Sequence, residues 1–321
     1  MGVGVLLFLT MIVSPVLALS AMDQQKEIRA SSTYREALAK GAHAAIMLRV
    51  RDEAGNSVSN AQVSAVFDMH PNPLASAETT DGSGACLLEE LTCGNSIVIR
   101  VEKPGFYPSE RKLCLAGFGC AHQVLQGRWQ PYPMEEALIL RRIRNPVRLV
   151  AVDRNFDMPG TNSWYGFDMA VADFVAPYGI GKVADFECRA EWDGRPAWES
   201  RHCAVHVRFT ERFAGGCTVR NTVESAFPFP YVADSTKMDI SSFEIIDRNG
   251  APHTSGKGLA AGTSLTVRTR CVADDAERLK AANYGNIRRI AIGPSRRGKA
   301  ILSLGYVFNT SPNDTNLEPC W

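Results

Sequence analysis

The sequence predicts a mostly β protein with two domains, an N-terminal β-sandwich followed by a larger β-sandwich-like domain. Apolar and polar residues alternate with a period of two in several short segments, which is the pattern of half-buried strands. Gly, Pro, Asn and Asp separate these segments and favour turns between them. The chain has 321 residues, more than one domain of about 100–200 residues usually contains.

Residues 1–21 are predicted to be a secretory signal peptide. Residues 3–19 form a long apolar run that ends in small residues, and Ala18 and Ser20 offer a cleavage pattern. No Lys or Arg precedes the run, so an uncleaved N-terminal anchor is the alternative interpretation. We therefore expect a secreted, periplasmic or cell-surface protein. Residues 22–42 are polar and rich in Ala and Glu, and they predict a helical lead-in.

The first domain is predicted over residues 43–144. Alternation predicts strands at residues 43–52, 61–67, 85–91 and 96–102, with turns between them. The spaced residues that define a sequence pattern along this stretch are Val50, Asp52, Gly55, Val58, Ala61, Val63, Thr80, Asp81, Gly84, Lys103, Gly105 and Phe106. This pattern resembles the transthyretin-like, or carboxypeptidase regulatory-like, domain over about residues 43–116. The resemblance implies an accessory β-sandwich of a secreted protein and implies no activity.

The second domain is predicted over residues 145–321. Residues 155–185 combine Asp, Gly and aromatic residues. In this style the region resembles the C-terminal regions of some secreted bacterial proteins. Aromatic rings on loops stack on sugar rings, and Asp side chains bond sugar hydroxyls. The candidate ligand-binding residues are Trp164, Tyr165, Asp168, Asp173 and Tyr178. Alternatively, the aromatic residues pack in the core and the Asp residues form turns. A calcium loop of the D-x-D-x-D-G type is absent.

A second candidate site is a polar cluster on two alternating segments, residues 185–192 and 202–209. If these segments form a hairpin with Cys188 opposite Cys203, Asp185 faces His206 and Arg189 faces His202. Carboxylate and imidazole groups at this spacing could bind a metal or exchange protons. The candidate residues are Asp185, Glu187, His202 and His206. A solvated polar sheet face is the alternative.

The nine cysteines fit an exported protein, and their odd number leaves at least one unpaired in a monomer. Cys188 and Cys203 both share a face with apolar residues of their segments. A hairpin centred near residues 195–196 would bring their Cα atoms to about 4.5–5.5 Å, which is within disulfide range. We therefore predict a Cys188–Cys203 disulfide, with an inert buried thiol as the alternative for each.

The predicted function is that of a secreted, non-enzymatic binding or cell-envelope module, with a glycan or an envelope protein as partner. Lys plus Arg total 35 and Asp plus Glu total 34, so we expect no nucleic-acid partner and no membrane contact beyond the signal segment. The motifs G-x-S-x-G, H-E-x-x-H, the Walker loop and G-x-G-x-x-G are absent. We expect no metal and no cofactor. The alternative is a hydrolase or metal-dependent enzyme that uses carboxylates and His of the second domain.

Overall fold

The computed structural model describes residues 21–117, 120–192, 203–222, 224–248, 251–255, 259–260, 262–294 and 299–320. Residues 1–20, which carry nearly all of the predicted signal peptide, lie outside this part. Strands make up 53% of the structure, and the helices are short, so the predicted mostly β fold class is confirmed. In the described part of the chain, no helix combines the length and the apolar composition that a bilayer span requires.

The chain forms two compact units, residues 1–140 and 141–321. The first unit begins with two helices, α1 (Ala21–Ala30) and α2 (Ser32–Lys40). Its strands are β1 (Ala42–Asp52), β2 (Gln62–Phe67), β3 (Leu74–Thr79), β4 (Ala85–Thr92), β5 (Ile97–Glu102), β6 (Phe106–Tyr107), β7 (Ser109–Leu113), β8 (Ala116–Gly117), β9 (Cys120–Ala121), β10 (Val124–Leu125), β11 (Arg128–Trp129) and β12 (Met134–Arg142).

Two sheets build the first unit. One follows the order β10-β11-β1-β12-β6, with β4 also paired to β1, and the other follows the order β3-β2-β5-β7. The strands β8 and β9 pair separately. Alternate residues of β1, β2 and β5 face the core, as the period of two predicts. The largest buried side chains here include Trp129, Phe67, Ile46 and Leu48.

The helical lead-in is part of this core. Ser31 caps α2 by accepting the backbone N–H of Tyr34, and Gly41 ends the helix with a φ of +82°. The Tyr34 ring, 4% exposed, meets the buried Trp129 ring edge-on at 5.8 Å. The helix is therefore docked on the sandwich through aromatic packing.

The turns of the first unit are fixed by the polar residues of the motif. The Asp52 carboxylate accepts the backbone N–H groups of Ala54 and Asn56, and the Asp81 carboxylate accepts those of Ser83 and Ala85. The buried Thr80 hydroxyl accepts the Ala61 N–H and donates to the Val58 carbonyl. Each of these polar residues has a structural role in a turn.

The second unit contains the remaining strands. They are β13 (Val150–Asp157), β14 (Tyr165–Asp168), β15 (Asp173–Phe174), β16 (Phe186–Trp192), β17 (Cys203–Arg208), β18 (Gly215–Arg220), β19 (Ser242–Arg248), β20 (Ala251–Ser255), β21 (Thr263–Ala273), β22 (Leu279–Pro294) and β23 (Ala300–Asn309). One sheet has the order β13-β23-β22-β21-β18 and the other has the order β15-β14-β16-β17-β19-β20.

The core of the second unit is formed by the apolar residues of both sheets. Phe167 stacks on Phe186 at 5.3 Å and meets the Tyr306 ring edge-on at 6.4 Å. Val205 and Leu302 are 0% exposed and belong to the same cluster. The two sheets therefore share one hydrophobic core, which makes this unit β-sandwich-like.

The predicted register of the β16–β17 hairpin is wrong. Cys188 lies opposite Val207, and Cys203 lies opposite Trp192, so the strands are offset by four residues from the prediction. An even offset keeps every side chain on its predicted face, but it separates the two cysteines. Cys188 is a free, buried thiol, so the predicted Cys188–Cys203 disulfide is also wrong. Among the described residues, Cys114 and Cys120 form a disulfide.

Candidate functional site

The candidate site lies on the outer face of the sheet that contains β14, β16, β17 and β19. Strand alternation turns Cys188, Val205 and Val207 into the core, and it turns the polar residues between them outward. Arg189 pairs with His206, which pairs on its other side with Glu244. Trp164 precedes β14 and lies beside Arg189. The four side chains form a row across the sheet.

This row borders a groove of about 510 Å³, which we call the Trp164 groove. It is lined by Trp164, His206, Val207, Arg208, Ser242, Phe243 and Glu244. Trp164 is partly exposed, and the guanidinium carbons of Arg208 and Arg189 lie 4.0 and 5.2 Å from its ring. Cation–π contacts of this kind fix the orientation of the indole. The groove thus combines an oriented aromatic ring with charged groups of both signs.

Ion pairs hold the charged side chains of the face in place. The Arg208 Nη2 lies 2.6 Å from Glu187 Oε2, and the Arg189 Nη2 lies 2.8 Å from Glu191 Oε1. The side chains of both pairs are partly buried, so solvent screens their attraction less than that of fully exposed pairs.

His206 lies between two carboxylates. Its Nε2 is 3.0 Å from Glu191 Oε1 and 3.5 Å from Glu244 Oε1, without the alignment of a hydrogen bond to either. The Arg189 Nε is likewise buried without a hydrogen-bond partner. Buried polar atoms without a hydrogen-bond partner are uncommon in folded proteins, so these two atoms mark the face as unusual.

The predicted polar cluster is split by the structure. Glu187 and His206 lie on this outer face, as predicted, but Asp185 does not face His206. The Asp185 carboxylate, 0% exposed, accepts hydrogen bonds from the Thr269 hydroxyl and from Arg270. This part of the prediction is wrong because Asp185 precedes β16 and turns into the protein. His202 lies outside the described residues.

The predicted acidic residues of the loop around residues 169–184 hold the loop rather than line the groove. Asp168 Oδ2 accepts the backbone N–H groups of Lys182 and Val183, and Arg270 donates to Oδ1 at 2.6 Å. Burial by itself raises the pKa of Asp168, but these two hydrogen bonds and the Arg270 charge outweigh it, so the pKa lies below its usual value. The Asp173 carboxylate accepts the Phe174 and Ile180 N–H groups.

The predicted aromatic residues also separate. Tyr165 is 8% exposed and packs edge-on against Tyr178 at 4.8 Å and against Phe174 at 6.4 Å. Tyr178 is 58% exposed on the loop. Of the five predicted ligand-binding residues, Trp164 therefore lines the groove, and the other four build or cover the neighbouring loop.

Three residues of the face were missed by the sequence interpretation. Glu191 and Arg208 have the outward parity of Glu187 and His206, and that parity could have identified them. Glu244 is brought to the face by the pairing of β17 with β19, which are distant in sequence. Local periodicity contains no signal for such a pairing.

The arrangement supports two kinds of chemistry. An aromatic ring beside fixed charged groups can bind a polar ligand that has an apolar face. The imidazole between two carboxylates could also transfer protons. Among the described residues, no group of three or more His, Cys, Asp and Glu side chains has the geometry to hold a metal ion.

Comparisons with known proteins identify similar structures only at low scores. No protein-family model matches the chain, and no curated protein matches it. A 3-chlorocatechol 1,2-dioxygenase from Rhodococcus opacus aligns with 9% identity and a TM-score of 0.26, over 32% of this chain and 61% of that enzyme. The chain thus spans about three fifths of the length of that dioxygenase.

Two longer alignments cover most of this chain. A DUF3823 family protein from Parabacteroides merdae shows 7% identity and a TM-score of 0.21, over 83% of this chain and 98% of that one. The major pilin subunit BcpA of Bacillus cereus shows 9% identity and a TM-score of 0.25, over 86% of this chain and 69% of that one. These scores are too low to transfer a function.

Proposed function

We propose that this chain is an exported, non-enzymatic binding module of the cell envelope, and that its Trp164 groove binds a glycan. The observation that carries the proposal is the partly exposed Trp164 ring, oriented by Arg208, beside the carboxylates that surround His206. A sugar ring offers an apolar face to the indole. Its hydroxyls can donate to carboxylates and accept from guanidinium and imidazole groups.

The sheet makes the site preorganised. Arg189, His206 and Glu244 are placed by three paired strands, and the buried residues behind them belong to a continuous core. A site built on strands is already ordered and loses little conformational entropy on binding. The free energy of the polar contacts to a ligand is therefore not offset by ordering of the protein. This favours recognition by fixed groups over closure of a mobile loop.

The first unit is proposed to be a transthyretin-like accessory sandwich over about residues 43–116. Two sheets and the structural roles of the motif residues support the proposal. Gly84, for example, has a φ of +77°, and a Cβ there would lie 2.6 Å from the Val50 carbonyl oxygen. Gly105 also has a positive φ, of +83°. At Gly84 the close approach excludes a side chain, and at both positions the left-handed backbone favours glycine.

Export and an envelope location are proposed from the apolar leader over residues 3–19. N-terminal sequencing of protein recovered outside the cytoplasm tests this, with a mature start between residues 19 and 22 as the expected result. Recovery of intact Met1 in a membrane fraction would show an anchor instead.

The glycan proposal is tested on an array of bacterial and host glycans, with hydrolysis of each retained sugar followed in parallel. We expect retention without turnover, and loss of retention in Trp164→Ala. Stacking of a base on one aromatic ring contributes on the order of 1–3 kcal/mol, and a sugar ring of comparable contact area should lose about fivefold or more in affinity. Turnover of a retained sugar would overturn the non-enzymatic assignment.

A pair of charge-neutralising variants separates the groove from the rest of the surface. Glu244→Gln should weaken retention, because it removes the negative charge and one of the two acceptor oxygens beside His206. Glu102→Gln is the control, since Glu102 is a half-exposed residue on β5 of the first unit that pairs with Arg100. Equal retention by both variants would show that the groove is not the binding site.

The imidazole between two carboxylates supports a second candidate, an acid–base hydrolase. If a sugar is hydrolysed, His206→Gln should abolish turnover, and the rate should depend on pH. An unchanged rate in this variant would exclude His206 from the reaction.

A further inference from the structure

The segment of residues 169–184, which we call the acid-pinned loop, presents apolar side chains to solvent. Ile180 is 75% exposed, Tyr178 is 58% exposed and Val171 is 46% exposed. Ala176 and Pro177 are exposed as well. Large apolar side chains grouped on one ordered loop are uncommon on a monomer without a binding role.

Most backbone N–H groups of this loop are hydrogen-bonded within the protein. Asp173 accepts the Phe174 and Ile180 N–H groups, and Asp168 accepts those of Lys182 and Val183. Carbonyl oxygens accept the N–H groups of Val175, Ala176, Tyr178 and Gly181. An apolar surface whose backbone donors are mostly bonded leaves water at a lower cost, because few unpaired N–H groups lose their hydration.

The charges of the loop are segregated. Asp168 and Asp185 are buried, and both oxygens of Asp173 accept N–H groups of the loop. Lys182 is exposed, and Arg154 donates from Nη2 to the Ala172 carbonyl at 2.5 Å. The Asp168 and Asp185 carboxylates are therefore enclosed and Asp173 is bonded to backbone N–H groups, while Lys182 is exposed and Arg154 lies beside Ala172. This charge distribution is complementary to an anionic surface.

The exposed apolar side chains of the acid-pinned loop are few, and their number favours a lipid surface over a protein as the binding partner. A stable protein interface takes about 20–30 residues on each side. The exposed apolar side chains of this loop are Val171, Ala176, Pro177, Tyr178, Ile180 and Val183. A few side chains are enough for shallow insertion at the boundary between headgroups and acyl chains, where Tyr and Lys are both favourable.

We propose that the acid-pinned loop docks on an anionic lipid surface, with Tyr178 and Ile180 entering the interface and Lys182 and Arg154 contacting headgroups. The balanced net charge of the chain led us to expect no membrane contact, and this proposal differs from that expectation. The net charge sums over the whole chain and does not reveal two cations, Lys182 and Arg154, on one part of the surface. It stands independently of the glycan proposal, since the Trp164 groove does not contain Tyr178, Ile180 or Lys182.

The experiment is co-sedimentation of the mature chain with vesicles of equimolar phosphatidylcholine and phosphatidylglycerol. We expect binding that is reversible and weakened by salt, since one shallow contact does not anchor a protein. Ile180→Ser should lower the partition coefficient by about tenfold, because it removes the most exposed aliphatic side chain. Lys182→Gln should lower it by about fivefold.

The matched control is Val272→Ser, because Val272 is 52% exposed on β21, outside the loop. It should bind vesicles like the unmodified chain. Circular dichroism and a melting curve show that each variant is folded, as expected for exposed positions. Unchanged binding in Ile180→Ser, or an equal loss in Val272→Ser, would overturn the proposal.

Two further outcomes also test which partner binds the loop. Absence of vesicle binding by the unmodified chain would overturn the proposal directly. Self-association that Ile180→Ser abolishes, in the absence of vesicle binding, would assign the loop to contact between two copies instead. Because neither measurement involves a sugar, failure here leaves the glycan proposal untouched.

Discussion

Arg270 binds Asp185 through two nitrogens, with Nε 2.9 Å from Oδ1 and Nη2 2.8 Å from Oδ2. The same Nη2 donates to Asp168 Oδ1 at 2.6 Å. Two carboxylates that are 0% and 4% exposed thus share one guanidinium. The pKa of Arg270 is raised, chiefly by its hydrogen bonds to Asp185, so the guanidinium stays protonated. This trio fastens the acid-pinned loop to β21.

Arg270→Gln should destabilise the second unit by about 3–5 kcal/mol, because it leaves two buried carboxylates without their counter-charge. The measurement is a urea unfolding curve, followed by a signal of the second unit. Arg278→Gln is the control, since Arg278 forms an ion pair with Asp274 and its side chain is 78% exposed. That variant should change stability by less than about 1 kcal/mol. Equal unfolding midpoints for the two variants would contradict the prediction.

The stability of the second unit should also fall at acid pH through Asp168. Hydrogen bonds and Arg270 hold the pKa of this carboxyl below its ordinary value of 3.8 despite burial. The unfolded chain therefore binds a proton more readily than the folded chain. The contribution is complete above the unfolded pKa and is lost as the pH falls through the folded one, below about 4. Unfolding midpoints measured over this range should fall less steeply in Asp168→Asn. An identical pH dependence in this variant and the unmodified chain would show that Asp168 is not responsible.

The cysteines should differ sharply in reactivity. Burial raises the pKa of the Cys188 thiol to about 12, so hardly any thiolate forms at neutral pH. Cys320 is exposed. In the native protein, iodoacetamide should label Cys320 and should label Cys188 only after unfolding. Non-reducing peptide mapping should join Cys114 to Cys120. A Cys188–Cys203 peptide would contradict the pairing of Cys188 with Val207.

The strands and their faces could be predicted from the sequence because both depend on a local period of two. The segments predicted at residues 43–52 and 85–91 correspond to Ala42–Asp52 and Ala85–Thr92. The inward parity of Cys188 and the outward parity of His206 were correct for the same reason. Parity survives any even shift in register, so it is more robust than the choice of partner residue.

The partners across strands could not be predicted in the same way. Arg270 has a φ of +52° and lies at a β-bulge between Thr269 and Val272, where the alternation of β21 is interrupted. Its two acidic partners lie 85 and 102 residues earlier in the chain. No local sequence pattern predicts the bulge or the pairing of residues that are so far apart in the sequence. The sequence thus identified Asp168 and Asp185 as notable residues but not the arginine that explains their burial.

The final prediction concerns Gly179, which permits the tight packing of the acid-pinned loop. A Cβ at this position would lie 2.8 Å from the Asp173 carboxyl carbon and would also clash with the Phe174 carbonyl oxygen. The Phe174 carbonyl already accepts the Gly181 N–H, and Asp173 accepts the Ile180 N–H, so neither group can move without breaking a hydrogen bond. Gly179→Ala should therefore cost about 1–3 kcal/mol, the usual penalty for overpacking.

Gly293→Ala provides the matched control for this change. Gly293 lies in β22, and a Cβ there would meet nothing within 4 Å. Removing a strand glycine without a clash should leave stability unchanged or raise it by about 0.5–1 kcal/mol. Melting curves of the two variants measure the difference. If Gly179→Ala is as stable as Gly293→Ala, the loop has room to adjust and is not rigidly pinned. If only Gly179→Ala is destabilised, steric closeness around Asp173 is what holds Tyr178 and Ile180 in their exposed positions.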